Sequence, residues 1–135
     1  MRDIHPRELT DLGLTAAVGE LAARSPLDIE VDPSGDDSLL SNPAAAAAYF
    51  TISEALTNIV KHAGTDRATI ELRYDHTGVQ LRVVDTGRGG ADAATGTGPA
   101  GLRERIRSVG GKLEITSPPG EGTIIAATVP AEPPW

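Results

Sequence analysis

An α/β domain is the fold class this chain predicts, on three observations. Two neighbouring segments, Arg67 to Tyr74 and Val79 to Val84, alternate apolar and polar residues, which is the period of a half-buried strand. A helical run from Ala44 to Ala63 precedes them, and a second helical stretch, Pro99 to Val109, follows. A length of 135 residues suits one domain, large enough to bury a core without disulfide or metal staples.

The first element is a helix from about Leu12 to Arg24, with Leu12, Ala16, Ala17, Leu21 and Ala22 at helical spacing and Pro26 forbidding continuation. Leu27 to Val31 reads as a short strand. Asp32 to Asn42 is rich in Asp, Ser, Gly and Pro and reads as a loop. Asn42 then suits a cap and Pro43 a first helical position, and the helix runs to Gly64, a fitting C-terminal stop. Arg67 to Tyr74 places Ala68, Ile70, Leu72 and Tyr74 on one face. Asp75-His-Thr-Gly78 is a hairpin turn, and Val79 to Val84 returns to Asp85. Gly87 to Gly98 holds small residues without an apolar period and reads as a mobile loop. Gly110-Gly111 ends the helix begun at Pro99, and Lys112 to Thr116 and Thr123 to Val129 form a last hairpin. The tail, Pro130 to Trp135, reads as frayed. No internal repeat is present.

Composition excludes several function classes. Cysteine is absent, so disulfides and thiolate metal sites are unavailable. No signal peptide or bilayer-length apolar run is found, which predicts a cytosolic domain. A net charge of -7 argues against a broad nucleic-acid surface. Yet Lys61, His62, Arg88, Arg103, Arg105 and Arg107 gather near the segments that carry chemistry, so an anionic ligand stays open.

Those segments are three. In Glu54-Ala-Leu-Thr-Asn58-Ile-Val-Lys61-His62-Ala63, a helical period sets Glu54, Asn58, Lys61 and His62 on one side and Ile52, Leu56, Ile59, Val60 and Ala63 on the other. Asn58, a mediocre helix former, offers a neutral oxygen to a hard cation such as Mg²⁺. Glu54 suits a metal-bound water or general-base work, and Lys61 and His62 suit phosphates; a solvated helix face is the plain alternative for each. In Asp85-Thr-Gly87-Arg-Gly89, the Asp ends a strand with an apolar inner face. Its carboxylate can take a hydrogen bond from the exocyclic amine of adenine, where guanine offers a carbonyl. Gly87 and Gly89 let backbone approach a flat ring. The competing reading is an Asp serving its own turn. Gly96-Thr-Gly98-Pro-Ala-Gly101 spells G-x-G-x-x-G, but it lies late in the chain and follows no buried parallel strand, against a dinucleotide fold. A glycine-rich hinge running into a helix whose free amides face an anion fits better.

These segments resemble the N box, the G1 box and, with Leu102-Arg-Glu-Arg105 and Gly110-Gly111, the G2 region of sensor histidine kinases in the GHKL ATPase superfamily. Pro119-Gly-Glu-Gly122-Thr123 is similar to that family's terminal hairpin, and the local forms resemble the NarL/DesK-type subfamily. The resemblance spans Leu12 to Pro130. It implies a two-layer α/β sandwich, the Bergerat fold, with a mixed sheet and a short lid over bound ATP. It further implies that Asn58 ligates Mg²⁺, that Asp85 reads the adenine amine with help from Thr123 through water, and that Gly87 and Gly89 floor the pocket. Lys61 and His62 would meet phosphates, and Gly96, Gly98, Gly101 and Leu102 would shape the lid and its helix. Glu54 stands where hydrolysing relatives keep a water-activating base. One departure is Pro99, where the family usually has Leu; it removes an amide near the phosphate path.

The phosphoacceptor is missing. His5 precedes Pro6 and His76 lies in a turn, neither suiting a His followed by an acidic residue on a dimerising hairpin. The resemblance therefore implies the catalytic piece of a longer kinase, of a class that includes membrane-anchored members: residues 1–11 the connector from that hairpin, with Met1 an added start, 12–130 the ATP-binding domain and 131–135 a flexible tail. Its partners would be ATP, the phosphoacceptor His domain and a downstream response regulator, with no nucleic acid, and the piece itself would be monomeric. Two alternatives remain at this stage, a GHKL protein serine kinase of the anti-sigma type and a degenerate nucleotide-binding module.

Overall fold

The computed structural model describes residues 6–87 and 98–132, apart from the side chains of 6–12, 62–63 and 98–100. Helix α1 (Pro6–Arg24) leads into strand β1 (Asp28–Ser34) and a single 3-10 turn at Asp37–Leu39. Helix α2 (Asn42–Asn58) follows and widens into one π turn at Ile59–Ala63. Strands β2 (Arg67–Asp75) and β3 (Gly78–Asp85), helix α3 (Gly98–Ser108) and strands β4 (Lys112–Thr116) and β5 (Thr123–Pro130) complete the order.

The strands form one sheet ordered β1-β2-β3-β5-β4, with β1 parallel to β2 and every other pair antiparallel. This is the mixed sheet expected. Its covered face is set by period 2: Ala68, Ile70, Leu72 and Tyr74 of β2 lie opposite Asp85, Val83, Leu81 and Val79 of β3. Those in turn lie opposite Thr123, Ile125, Ala127 and Val129 of β5. Leu14, Ala17, Val18 and Leu21 of α1, the alanine-rich face of α2, and Leu102 and Ile106 of α3 close over this face as one core. Polar side chains occupy the other face, where Arg73 pairs with Asp32 at 3.7 Å and Arg82 with Glu71 at 3.2 Å. The result is two layers.

Several element boundaries differ from the sequence expectation, each for a local reason. Helix α1 starts at Pro6 and breaks at Gly13, whose φ of 83° and ψ of 163° are not helical. The helix resumes because Asp37 Oδ2 accepts the Thr15 N–H at 2.8 Å, so a carboxylate from a distant turn serves as the cap. A side chain at position 13 would meet that same oxygen at 2.8 Å. Strand β1 extends past Val31 through Pro33 to Ser34, which an edge strand tolerates, and the Asp32–Asn42 loop is correspondingly shorter. The cap of α2 is Ser41, whose Oγ accepts the Ala44 N–H at 3.3 Å, rather than Asn42. Gly64 closes the run in a left-handed conformation, as expected.

Two corrections concern burial and the tail. Val60 is 50% exposed, not part of the apolar side. The buried arc of α2 passes through Ala44, Ala48, Thr51, Ile52, Ala55, Leu56 and Ile59, and Val60 lies roughly a third of a turn from its centre. Pro130 is the last residue of β5, paired with Gly78, so the chain is not frayed there. Beyond it the Ala131 N–H donates to the Thr77 carbonyl at 2.9 Å and its own carbonyl accepts the Ser41 N–H at 2.8 Å. The loop expected over Gly87 to Gly98 falls for the most part outside the described residues.

Candidate functional site

Ser41 at the head of α2 is bonded to Ala131, which places the start of that helix beside the end of the sheet where Gly78 and Pro130 pair. Seventeen residues of α2 span about 25 Å at 1.5 Å each, close to the roughly 26 Å of the eight residues of β3. The last turn of α2 therefore arrives at the opposite end of the sheet, the end of Asp85. Chain connectivity agrees: only Gly64, Thr65 and Asp66 separate the π turn from β2, whose Ala68 pairs with Asp85. Asn58 and Asp85 thus belong to one end of the molecule.

At that end the covered face turns polar. Ala68, Asp85 and Thr123 form a row of directly opposed residues across β2, β3 and β5, and such neighbours have Cβ atoms about 5 Å apart. Asp85 is 5% exposed, and with Thr51 it makes up the buried polar residues among those described. Its Oδ1 accepts the Gly87 N–H at 2.8 Å, so the Asp-turn reading from the sequence is correct as far as it goes. The turn consumes one oxygen, and among the described residues no second hydrogen bond to this carboxylate is found. Across the sheet, Thr123 Oγ1 lies 2.6 Å from Ser117 Oγ.

On α2, Asn58 is half-buried at the border of the apolar arc, and Glu54 and Lys61 are exposed. All three sit in the last turns of α2 or in the π turn that follows. The side chain of His62 and the residues Gly89 and Gly96 lie outside the described residues. Gly87 follows Asp85 directly. Gly98 opens α3, with Gly101 in its second turn. Leu102 is 2% exposed in the core beneath α3, where it anchors the helix. Truncating such a leucine costs about 2–5 kcal/mol. Arg105, grouped above with the basic residues near the motifs, instead stacks over Phe50 with its Cζ 4.7 Å from the ring centre.

The sequence reading gave no role to two residues of this end. Gly122 is buried with φ +80°, and a Cβ there would run into the Asp85 carbonyl oxygen. It lets β5 press against the strand end that carries Asp85. Ser117, the residue after β4, extends the polar row beyond Thr123. The period-2 pattern held the signal for Ser117, but only the register shows which side chain it meets.

The family described as Histidine kinase-, DNA gyrase B-, and HSP90-like ATPase matches residues 45–133. The chain belongs to this family. Among its curated relatives, the sensor histidine kinase MctS of Rhizobium johnstonii is 33% identical over 95% of the chain and 30% of its own length. The sensor histidine kinase LiaS of Bacillus subtilis is 31% identical over 90% of the chain and 34% of its own length. The chain thus spans about a third of these relatives. The ATP-binding domain of PrrB from Mycobacterium tuberculosis shares the fold, with a TM-score of 0.63 and 21% identity over 91% of the chain and 93% of that domain. The two-layer sandwich is the GHKL ATPase architecture.

Proposed function

We propose that this domain binds Mg-ATP and, within a longer sensor histidine kinase of the NarL/DesK type, donates the γ-phosphate to a His on a separate dimerisation domain. A response regulator acts downstream of that His. The observation that carries the reading is Asp85, a buried carboxylate with one oxygen tied to the Gly87 amide, set beside Thr123 at the end of the sheet where α2 delivers Asn58.

The residues fit such a ligand. Asp85 accepts from the adenine exocyclic amine, a hydrogen bond guanine cannot supply at that place. Gly87 and Gly89 admit the ring edge-on to backbone. Lys61 and His62 neutralise phosphate charge, while Gly96, Gly98 and Gly101 let the lid and its helix fold over it, and Leu102 fixes that helix to the core. No group of three or more acidic or His side chains able to hold a metal exists among the described residues. Asn58 would then be the protein's own contact to Mg²⁺, the remaining positions falling to waters and phosphate oxygens, as this cation prefers. The ion, when bound, offsets the charge that builds on the transferred group. Glu54, exposed one turn before Asn58, orients water rather than binding metal.

No described helix is long and apolar enough to cross a membrane, and the domain acts on the cytoplasmic side as a monomer apart from its kinase. Calorimetry should show Mg-ATP binding by the isolated chain, with no stable autophosphorylation because neither His5 nor His76 suits a phosphoacceptor. Absence of binding rejects the reading. A labelled phosphohistidine on the isolated chain rejects the division of labour.

A further inference from the structure

The row at the Asp85 end contains more recognition chemistry than one carboxylate. Asp85 and Thr123 stand on the adjacent strands β3 and β5, and Ser117 directly follows the last residue of β4. Thr123 is directly opposite Asp85, and Ser117 Oγ is 2.6 Å from Thr123 Oγ1. Strands lie about 4.8 Å apart, so the row is as wide as a purine. Gly122, pressed against the Asp85 backbone, removes slack between β3 and β5 just where Thr123 begins.

We propose that Ser117 is a positioning residue for base recognition, acting through Thr123. The inference rests on the reading that Asp85 faces adenine. The edge of adenine beside its amine offers a donor, N6–H, and next to it an acceptor, N1; guanine reverses both. Asp85 is an acceptor only, so it satisfies the amine and leaves N1 without a donor. A threonine hydroxyl has one proton and can accept while it donates. In the pair with Ser117 either hydroxyl can be the donor on geometry alone. If Ser117 donates, the Thr123 proton is released to point directly at N1, and the site presents acceptor and donor side by side. If Thr123 donated to Ser117, it would offer the base only lone pairs, the pattern that suits guanine. Ser117 therefore sets the polarity of Thr123 and with it half of the preference for adenine.

The test measures binding of ATP and of 1-deaza-ATP, which keeps the amine but lacks the N1 acceptor, to wild type, Ser117→Ala and Ser117→Thr. Wild type should prefer ATP. Ser117→Ala should weaken ATP binding about 3- to 10-fold, the range of a single neutral hydrogen bond, while leaving 1-deaza-ATP unchanged, and Ser117→Thr should restore the difference. Equal weakening of both nucleotides, or no weakening of either, overturns the proposal, since a merely structural role cannot distinguish them. Failure of the underlying reading looks different: wild type then binds no ATP, or Asp85→Asn binds it as well as wild type, and the Ser117 role falls with it. Thermal unfolding of Ser117→Thr keeps the comparison valid if the alanine variant is unstable.

Discussion

The two ends of the covered sheet face use the same interaction for different ends. At one, Asp37 Oδ2 accepts the Thr15 N–H at 2.8 Å; at the other, Asp85 Oδ1 accepts the Gly87 N–H at 2.8 Å. Around Asp37 the neighbours belong to the helix break. Tyr74 Oη pairs with Thr15 Oγ1 at 2.8 Å, and Gly13 brings the helix backbone close to the carboxylate. That end holds the break in α1 at a fixed angle. Around Asp85 the backbone bond orients the carboxylate and leaves its second oxygen for something else. The difference teaches that a bonded carboxylate is read by its company: the groups around Asp37 fix the helix break, whereas Asp85 stands beside the paired hydroxyls of Thr123 and Ser117 at the end of the sheet.

Changes at the two ends should accordingly separate stability from binding. The largest effect belongs to Gly122→Ala, which combines a left-handed φ with a collision against Asp85; a loss of about 3 kcal/mol is expected, read as a lower urea midpoint. Next, Asp85→Asn keeps the acceptor for the Gly87 amide but puts an amide donor where the adenine amine would donate. Stability should hold while Mg-ATP affinity falls roughly 30-fold, about 2 kcal/mol; unaltered affinity by calorimetry ends the pocket assignment. Asp37→Ala removes the cap of the second half of α1 and should cost about 1 kcal/mol in denaturant unfolding, with nucleotide affinity untouched. A parallel loss of affinity would show that the two ends are coupled.

The smallest effect is a pH dependence. Burial raises the Tyr74 hydroxyl from its usual 10.0 to about 12. The unfolded chain releases this proton first, so the stabilisation is full below pH 10 and declines as pH rises from about 10 to 12. Replacing Tyr74 with Phe should flatten that part of the stability curve, measured as Tm against pH; an unchanged slope assigns the dependence to other groups.

Much of this was legible beforehand because the pattern was local. The β2–β3 hairpin, the helix ending at Gly64 and the Asp85 position all follow from period and turn chemistry. The missed features involve partners far along the chain. Nothing near Leu14 announces that Asp37 will cap it from 22 residues beyond Thr15. The strand through Pro33 depends on β1 being an edge, and the exposure of Val60 depends on where α1 and α3 press on α2. Arg105 illustrates the same limit, since its charge suggested a phosphate while its actual neighbour is Phe50.

What the chain determines alone is which residues alternate, which turn and which carry donors or acceptors, because those depend on neighbours a few positions away. Tertiary structure alone decided that Asp85, Thr123 and Ser117 share one row and that α2 ends beside it. Strand order and register bring together residues nearly 40 positions apart, and such pairings are fixed only when the whole covered face is buried at once.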